Sequence, residues 1–221
     1  SHTCALLANG NVRCWGDNTY GQLGRGTSNG IGPIPDAVVV GLDDAVAISA
    51  GGYRHSCALL ANGTAKCWGD NTYGELGIGS ACWGCTSTMA RAVVGLSSAK
   101  SISAGKGGLS CAVIANGAAK CWGGNTYGAV GNGTTIDANA PVTVVGSKNM
   151  TQISAGWDHS CARLATGTAM CWGADDTSQL GDGSTSAKSK PVPVNKLSGA
   201  TMIDAAHGYT CSLQSDGTAR C

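Results

Sequence analysis

The chain has 221 residues, of which 43% are hydrophobic and 12% are charged, and its formal net charge is +1. Low charge combined with regular apolar patterning excludes a disordered chain, and without a run of Lys or Arg there is no electrostatic footprint for nucleic acid. No stretch approaches the eighteen consecutive apolar residues of a membrane-spanning helix, so no membrane span is predicted.

The chain begins with the frame that organises all of it: a cysteine, nine residues around a glycine-centred turn, and a second cysteine. The frame occurs five times, with starts 53, 54, 50 and 50 residues apart, at Cys4–Cys14, Cys57–Cys67, Cys111–Cys121, Cys161–Cys171 and Cys211–Cys221. A unit of about fifty residues with strand patterning inside it is typical of propeller blades.

The spacing within the frame predicts a disulfide in every hairpin. In the second repeat, a three-residue turn at residues 61–63 would pair Leu60 with Thr64 and therefore Cys57 directly with Cys67. Directly opposed residues on antiparallel strands bring their Cβ atoms close enough for a sulfur–sulfur bond. The alternative is a set of reduced, buried cysteines that act as small apolar residues. Disulfides would place the protein in an oxidising compartment, and we expect it to be secreted, in the extracellular space or at the cell surface.

The other elements of a repeat follow in a fixed order. In the first repeat a W-G-D-N-T-Y-G-Q-L-G loop at residues 15–24 is followed by a β-branched run at 37–40 and an apolar run at 45–50. We therefore predict an all-β β-propeller of about fifty-residue repeats with four antiparallel strands each, comprising four full repeats plus one extra hairpin. Residues 1–221 would form a single propeller domain or a segment of one.

These pieces resemble the regulator of chromosome condensation repeat family. The matching motifs are the I-S-A-G strand, the H-S-C-A-L start of the hairpin, the W-G-x-N-x-x-G-x-L-G loop and the repeat length. The resemblance implies a seven-bladed propeller in which each repeat straddles two neighbouring blades. Nuclear relatives are nucleotide-exchange factors, a secreted bacterial relative inhibits β-lactamases, and others are interaction platforms.

This chain departs from the family pattern in two ways. It carries paired cysteines, and it has four periods plus a hairpin, beginning without an I-S-A-G strand and ending at Cys221. We expect it to be a segment of a longer protein or to be completed by another chain, since unpaired strands invite aggregation. No exchange-factor residue carries over, so a nuclear exchange role is not expected.

Histidines and aspartates recur at fixed places, and they are the first candidates for chemistry. His2, His55 and His159 each stand two residues before a cysteine, while Asp17, Asp70 and Asp175 follow the W-G step. Three histidines could hold a metal, and the aspartates could serve catalysis or calcium binding. Blade repetition separates them in space, however, so we expect structural histidines, turn-forming aspartates, no metal or cofactor, and no enzyme activity.

The segment Cys82-Trp83-Gly84-Cys85 is the one irregular cysteine pair. Its spacing is that of thioredoxin-like redox centres and of zinc half-sites. With no second half-site and no βαβ pattern around it, we expect a local disulfide between Cys82 and Cys85 that closes the loop.

Three Asn-x-Thr sequons fall in predicted turns, at Asn62, Asn132 and Asn149. They are candidate N-glycosylation sites if the chain is secreted by a eukaryote. Asn62 also has a sufficient role in its hairpin turn.

Two functions fit this sequence. The first is an extracellular, disulfide-clasped building block of a larger, filamentous assembly, with other copies of itself or further repeats of the same polypeptide as partners. The second is a secreted binding module, such as an enzyme inhibitor or a ligand-recognition head, that uses the variable loops at residues 79–89 and 134–140. Trp83 and Trp157 are the candidate interaction residues.

Overall fold

A computed structural model describes residues 1–28, 37–51 and 54–221, and its regular structure within these ranges consists of β-strands. In the described part of the chain, eighteen strands form five antiparallel sheets with three, four, four, four and three strands. The described part of the chain contains no helix that could cross a membrane. The all-β fold with four-stranded antiparallel blades is confirmed.

Each sheet is a meander of consecutive strands. The first two sheets comprise β1 (His2–Leu6), β2 (Val12–Gly16) and β3 (Ala37–Val38), and β4 (Ala45–Ala50), β5 (His55–Leu60), β6 (Ala65–Asp70) and β7 (Thr86–Ala92). The third sheet comprises β8 (Ala99–Ala104), β9 (Leu109–Ile114), β10 (Ala119–Gly123) and β11 (Ala138–Thr143). The last two comprise β12 (Met150–Ala155), β13 (His159–Leu164), β14 (Ala169–Gly173) and β15 (Lys188–Pro193), and β16 (Ala200–Ala205), β17 (Thr210–Gln214) and β18 (Ala219–Arg220).

The sequence repeat and the blade are out of phase. The repeat that begins at Cys57 supplies β5, β6 and β7 to the second sheet, and its I-S-A strand is β8, which begins the third sheet. Consecutive blades are therefore joined covalently within each repeat, as the resemblance implied. The three-stranded first sheet lacks such an I-S-A strand within the described residues.

The predicted hairpin register is confirmed. Leu59 pairs with Ala65, Ala58 with Lys66 and Cys57 with Cys67, and the turn is completed by Gly63 at a φ of +78°, a conformation that glycine adopts without strain. All five cysteine pairs of the hairpins are disulfide-bonded, each with its Cα atoms 4.1 Å apart. This short separation is the one expected for a non-hydrogen-bonded pair of opposed residues.

Buried tryptophan side chains hold neighbouring blades together. Trp68, Trp122 and Trp172 are completely buried, and their indole N–H groups donate to the backbone carbonyls of residues 22, 75 and 129 in the preceding repeat, at 2.9, 2.9 and 2.7 Å. A Cβ at Gly77 would lie 2.7 Å from Nε1 of Trp122. The last glycine of the W-G-x-N-x-x-G-x-L-G motif therefore leaves the space into which the tryptophan of the next blade packs. This contact explains why that glycine and the tryptophan recur together.

Candidate protein-interaction face

Two sets of loops emerge at the same edge of the sheets. In a meander, the connection between the first and second strands and the connection after the third strand lie at one end, and the hairpin turn lies at the other. We call this edge the loop face and define it by residues 17–21, 54, 70–74, 105–108, 124–128, 156–158, 175–178 and 206–209.

The loop face is rich in aromatic side chains. Tyr73, Tyr127 and Tyr209 are 41%, 49% and 58% exposed. Trp157 packs on His207 with ring centroids 4.5 Å apart. Trp157 was predictable from the sequence, whereas Tyr73 and Tyr127 stand in the recurring T-Y-G of the W-G-x-N-x-x-G-x-L-G loop, and Tyr209 stands outside that motif. Aromatic residues of this kind dominate the energetics of protein interfaces.

Two neighbouring cavities open between the loops. One of about 300 Å³ is lined by loops of the second, third and fourth sheets, and one of about 400 Å³ is lined by loops of the third, fourth and fifth sheets. Trp157 and Asp158 line both. A further cavity of about 430 Å³ lies between the fourth and fifth sheets against Leu180, Val194 and Ile203. The two loop-face cavities combine aromatic and charged walls, as a recognition site requires.

The 300 Å³ cavity contains buried charges. Asp70 is 1% exposed and its Oδ2 lies 3.6 Å from Nη1 of Arg54. Glu75 is 2% exposed, and its Oε2 accepts a 2.8 Å hydrogen bond from the backbone N–H of Tyr73. Burial raises the pKa of Glu75 to about 7, with a smaller contribution from the nearby charge of Asp70. Burial also raises the pKa of Asp158. These carboxyl groups would be stabilised in their charged form by a cation.

The recurring histidines bridge neighbouring blades. Nε2 of His2, His55 and His159 lies 2.7, 3.0 and 2.9 Å from the hydroxyl oxygens of Ser56, Ser110 and Thr210, respectively, each in the following sheet. Burial lowers their pKa values to about 4, 3 and 4. They therefore join blades as neutral groups, in the structural role that the sequence predicted, and no cluster of three metal-binding side chains occurs within residues 1–28, 37–51 and 54–221.

Stability is expected to fall as the pH drops from 6.5 to about 4. In this range the three histidines bind protons in the unfolded chain and not in the folded one, and each contributes a slope of about 1.4 kcal/mol per pH unit. Glu75 opposes them, since it holds a proton in the folded state up to a pKa of about 7. These four groups alone leave a net loss of about 2.7 kcal/mol per pH unit, and the raised pKa of Asp158 reduces the loss at the acid end of the range. Urea unfolding at pH 6.5, 5.5 and 4.5 measures this loss.

The chain supplies its own control for this prediction. The third repeat carries Leu109 where the second carries His55, and Leu109 is fully buried. His55→Leu should reduce the slope by about 1.4 kcal/mol per pH unit. An unchanged slope in this variant would contradict the assignment to histidine.

The recurring aspartates are turn residues, with one correction. Oδ1 of Asp17 accepts the N–H of Thr19 at 2.9 Å, and Oδ1 of Asp70 accepts the N–H of Thr72 at 3.1 Å. Asp175 instead accepts the N–H of Leu180, five residues on, at 3.0 Å. Asn71 makes that bond in the second repeat, so Asp175 replaces the asparagine of the motif and not its aspartate.

The irregular cysteine loop carries the most exposed tryptophan of the described residues. Cys82 and Cys85 are disulfide-bonded with Cα atoms 5.3 Å apart, and Trp83 between them is 88% exposed. The carbonyl of Cys85 accepts the backbone N–H of Asn71 at 2.8 Å, which ties this loop to the loop face. Trp83 is thus available to a partner.

The sequons occupy turns at several places. Asn62 and Asn149 are exposed and Asn132 is half-buried. Oδ1 of Asn62 accepts the N–H of Thr64 at 2.9 Å, which is the turn role expected for it. N-glycosylation at these asparagines stays a prediction.

Comparisons with known proteins fit this architecture. Two models of the Regulator of chromosome condensation (RCC1) repeat match the chain, one at residues 1–22, 45–75 and 150–179 and the other at 116–163 and 166–213. Over 163 residues, 72% of this chain, it is 34% identical to the human E3 ubiquitin-protein ligase HERC2 and 29% identical to the Arabidopsis thaliana ultraviolet-B receptor UVR8. The matches span 3% and 36% of those two proteins.

The solved structure of Prp20p from Saccharomyces cerevisiae has the same fold. It superposes with a TM-score of 0.81 at 21% identity, covering 96% of this chain and 53% of Prp20p. The repeat models match segments from residue 1 to residue 213, on sheets with this propeller topology. The chain belongs to the Regulator of chromosome condensation (RCC1) repeat family.

Proposed function

We propose that this chain is a non-enzymatic, protein-binding propeller that works outside the cytosol and contacts its partner through the loop face. The observation that carries the proposal is that the exposed Tyr73 and Tyr127 line two neighbouring cavities at one edge of the blades. Tyrosine and tryptophan are enriched in protein interfaces and at their energetic centres. Prp20p, which has the same fold, binds Gsp1p and histones, so protein recognition is an established use of this architecture.

The disulfides support the extracellular part of the proposal. All twelve cysteines are paired and none is free. Structural disulfides persist in oxidising compartments and are rare in the cytosol. Both functions that fit the sequence are extracellular, so the disulfides do not separate them; the exposed aromatic residues of the loop face favour the secreted binding module.

The building-block function is the second candidate. The first and fifth sheets have three strands each, and a strand from another chain could pair with their edges. Negative-stain electron microscopy of the native protein without reductant separates the two functions. Discrete particles are expected for a binding module, and regular fibres or sheets would favour the building block.

A matched pair of variants tests the loop face. Tyr73→Ala/Tyr127→Ala removes two side chains that are 41% and 49% exposed, and Val94→Ala/Val145→Ala removes two that are 43% and 42% exposed in the connections at the opposite edge. Proteins captured from the native extracellular fluid should bind the tyrosine variant at least about ten-fold more weakly, as the loss of hot-spot residues predicts. They should bind the valine variant as they bind the wild type. Equal losses in both variants would refute the loop face as the binding surface.

A further inference from the structure

One residue that lines the 300 Å³ cavity, Glu75, carries a buried carboxyl group where the first and fourth repeats have glutamine. In the first and fourth repeats the side chains of Gln22 and Gln179 accept the N–H groups of Tyr20 and Thr177 at 2.8 and 2.9 Å. Glu75 makes the same bond to Tyr73 in the second repeat. A neutral amide is therefore sufficient to hold this turn, and the charge of Glu75 is not required for it.

The second oxygen of Glu75 is turned towards the cavity wall. Its Oε2 is used by the N–H of Tyr73, while a Cβ built on Gly108 would lie 3.3 Å from Oε1 and 3.0 Å from the Tyr73 ring. Both Glu75 and Gly108 line the cavity. The absence of a side chain at residue 108 thus keeps space beside this oxygen and beside the aromatic ring.

The charges of the cavity favour a cation. Arg54 and Lys106 contribute +2 and Asp70, Glu75 and Asp158 contribute −3, which gives a net charge of −1 when all are ionised. Arg54 is engaged with Asp70 at 3.6 Å and with the ring of Tyr20 at 4.4 Å. Among the described residues, Glu75, Asp158 and Lys106 form no ion pair. One further positive group would bring the net charge of the cavity to zero.

Aromatic walls narrow the choice of cation. Tyr73 and Trp157 both line the cavity with the carboxyl groups. A guanidinium group is planar, stacks on aromatic rings and matches carboxylates with paired hydrogen bonds, whereas an ammonium group is a strongly hydrated point charge. A volume of about 300 Å³ is at the lower limit for small-molecule sites, and it suits a side chain better than a cofactor.

We infer that this cavity receives an arginine side chain of the partner protein, with Glu75 as the acceptor for its guanidinium group and Tyr73 and Trp157 as its aromatic walls. The inference rests on the proposed function and identifies the chemistry of the partner at this point of the loop face. The charged form of Glu75 is required, so binding should release a proton and strengthen with rising pH. The titratable and charged groups around it are Asp70, Arg54, His55, Lys106 and Asp158.

The test is an NMR titration of the full chain with N-acetylargininamide, followed through the Trp157 indole and the amides of residues 105–108. The expected result is saturable binding that becomes about ten-fold tighter between pH 6 and pH 8, as the ionised fraction of a group with a pKa of about 7 rises ten-fold. The uncharged isostere N-acetylcitrullinamide should not bind. Binding of the isostere as strongly, or tighter binding of N-acetyllysinamide, would overturn the assignment.

Two variants separate the site from general charge effects. Glu75→Gln should weaken binding at least about ten-fold at pH 8 and change little at pH 5.5, where Glu75 is already protonated. Gln22→Glu/Glu75→Gln restores the net charge on a different blade and should bind no better than the single variant. Rescue by the double variant would overturn the inference. The titration uses no partner protein. A negative result would therefore contradict the arginine site without contradicting the loop face, which the tyrosine and valine variants test separately.

Discussion

Loss of one hairpin disulfide is expected to lower the unfolding free energy by about 3 kcal/mol, because each disulfide closes an eleven-residue ring and restricts the unfolded chain. The buried Cys111–Cys121 pair is the suitable one to remove. Five such bonds together amount to on the order of 14 kcal/mol, which matches the whole stability of a typical domain. The fully reduced chain should therefore be unfolded. Urea unfolding of Cys111→Ala/Cys121→Ala, and circular dichroism of the reduced protein, measure both effects.

The chain offers a control for this prediction. The Cys82–Cys85 bond spans three residues in sequence and lies in a loop outside the sheets, so Cys82→Ala/Cys85→Ala should cost about 2 kcal/mol or less. A hairpin variant no less stable than this loop variant would show that packing, and not the disulfides, holds the blades.

Local physics explains which parts of the fold were predictable. The pairing of Cys57 with Cys67 follows from the length of the turn and from Gly63, both of which are readable within eleven residues. The histidines were predictable as structural because repetition separates them. The same argument could not reveal that His55 bonds Ser110, since that contact joins residues 55 positions apart in different blades.

The loop face was less predictable, because its features arise between repeats. Tyr73 looks like a turn residue in sequence, and only the positions of Gly108 and Trp157 from the next two blades show that its ring lines a cavity. Glu75 aligns with the glutamines of the first and fourth repeats and gave no signal of its own, since its raised pKa results from burial in the folded chain. Asp175 was misassigned because one W-G-A-D-D segment can be aligned to the motif in two ways, and its hydrogen bond to Leu180 decides between them.

Trp122→Ala is expected to lower the unfolding free energy by about 3–5 kcal/mol, the usual cost of removing a large aromatic side chain from a core. Trp122 is 0% exposed, its N–H bonds the carbonyl of Glu75 at 2.9 Å, and its ring packs on Gly77 of the preceding repeat. The loss should appear as a lower urea midpoint with an unchanged m-value, which is the slope of the unfolding free energy against urea concentration. An unchanged m-value distinguishes lower stability from a change in the unfolded state.

Two further variants, Trp15→Ala and Trp122→Phe, serve as controls for Trp122→Ala. Trp15 occupies the same position in the first sheet and is 40% exposed, so Trp15→Ala should cost less than about 1.5 kcal/mol. Trp122→Phe keeps most of the packing and loses the hydrogen bond, at a cost of about 1 kcal/mol. The carbonyl that it releases belongs to Glu75 and keeps its bond to the Ser110 hydroxyl at 2.9 Å. Equal losses for Trp15→Ala and Trp122→Ala would contradict the role of buried tryptophans in holding blades together. A much larger loss for Trp122→Ala would support that role, because only Trp122 is buried against the preceding repeat.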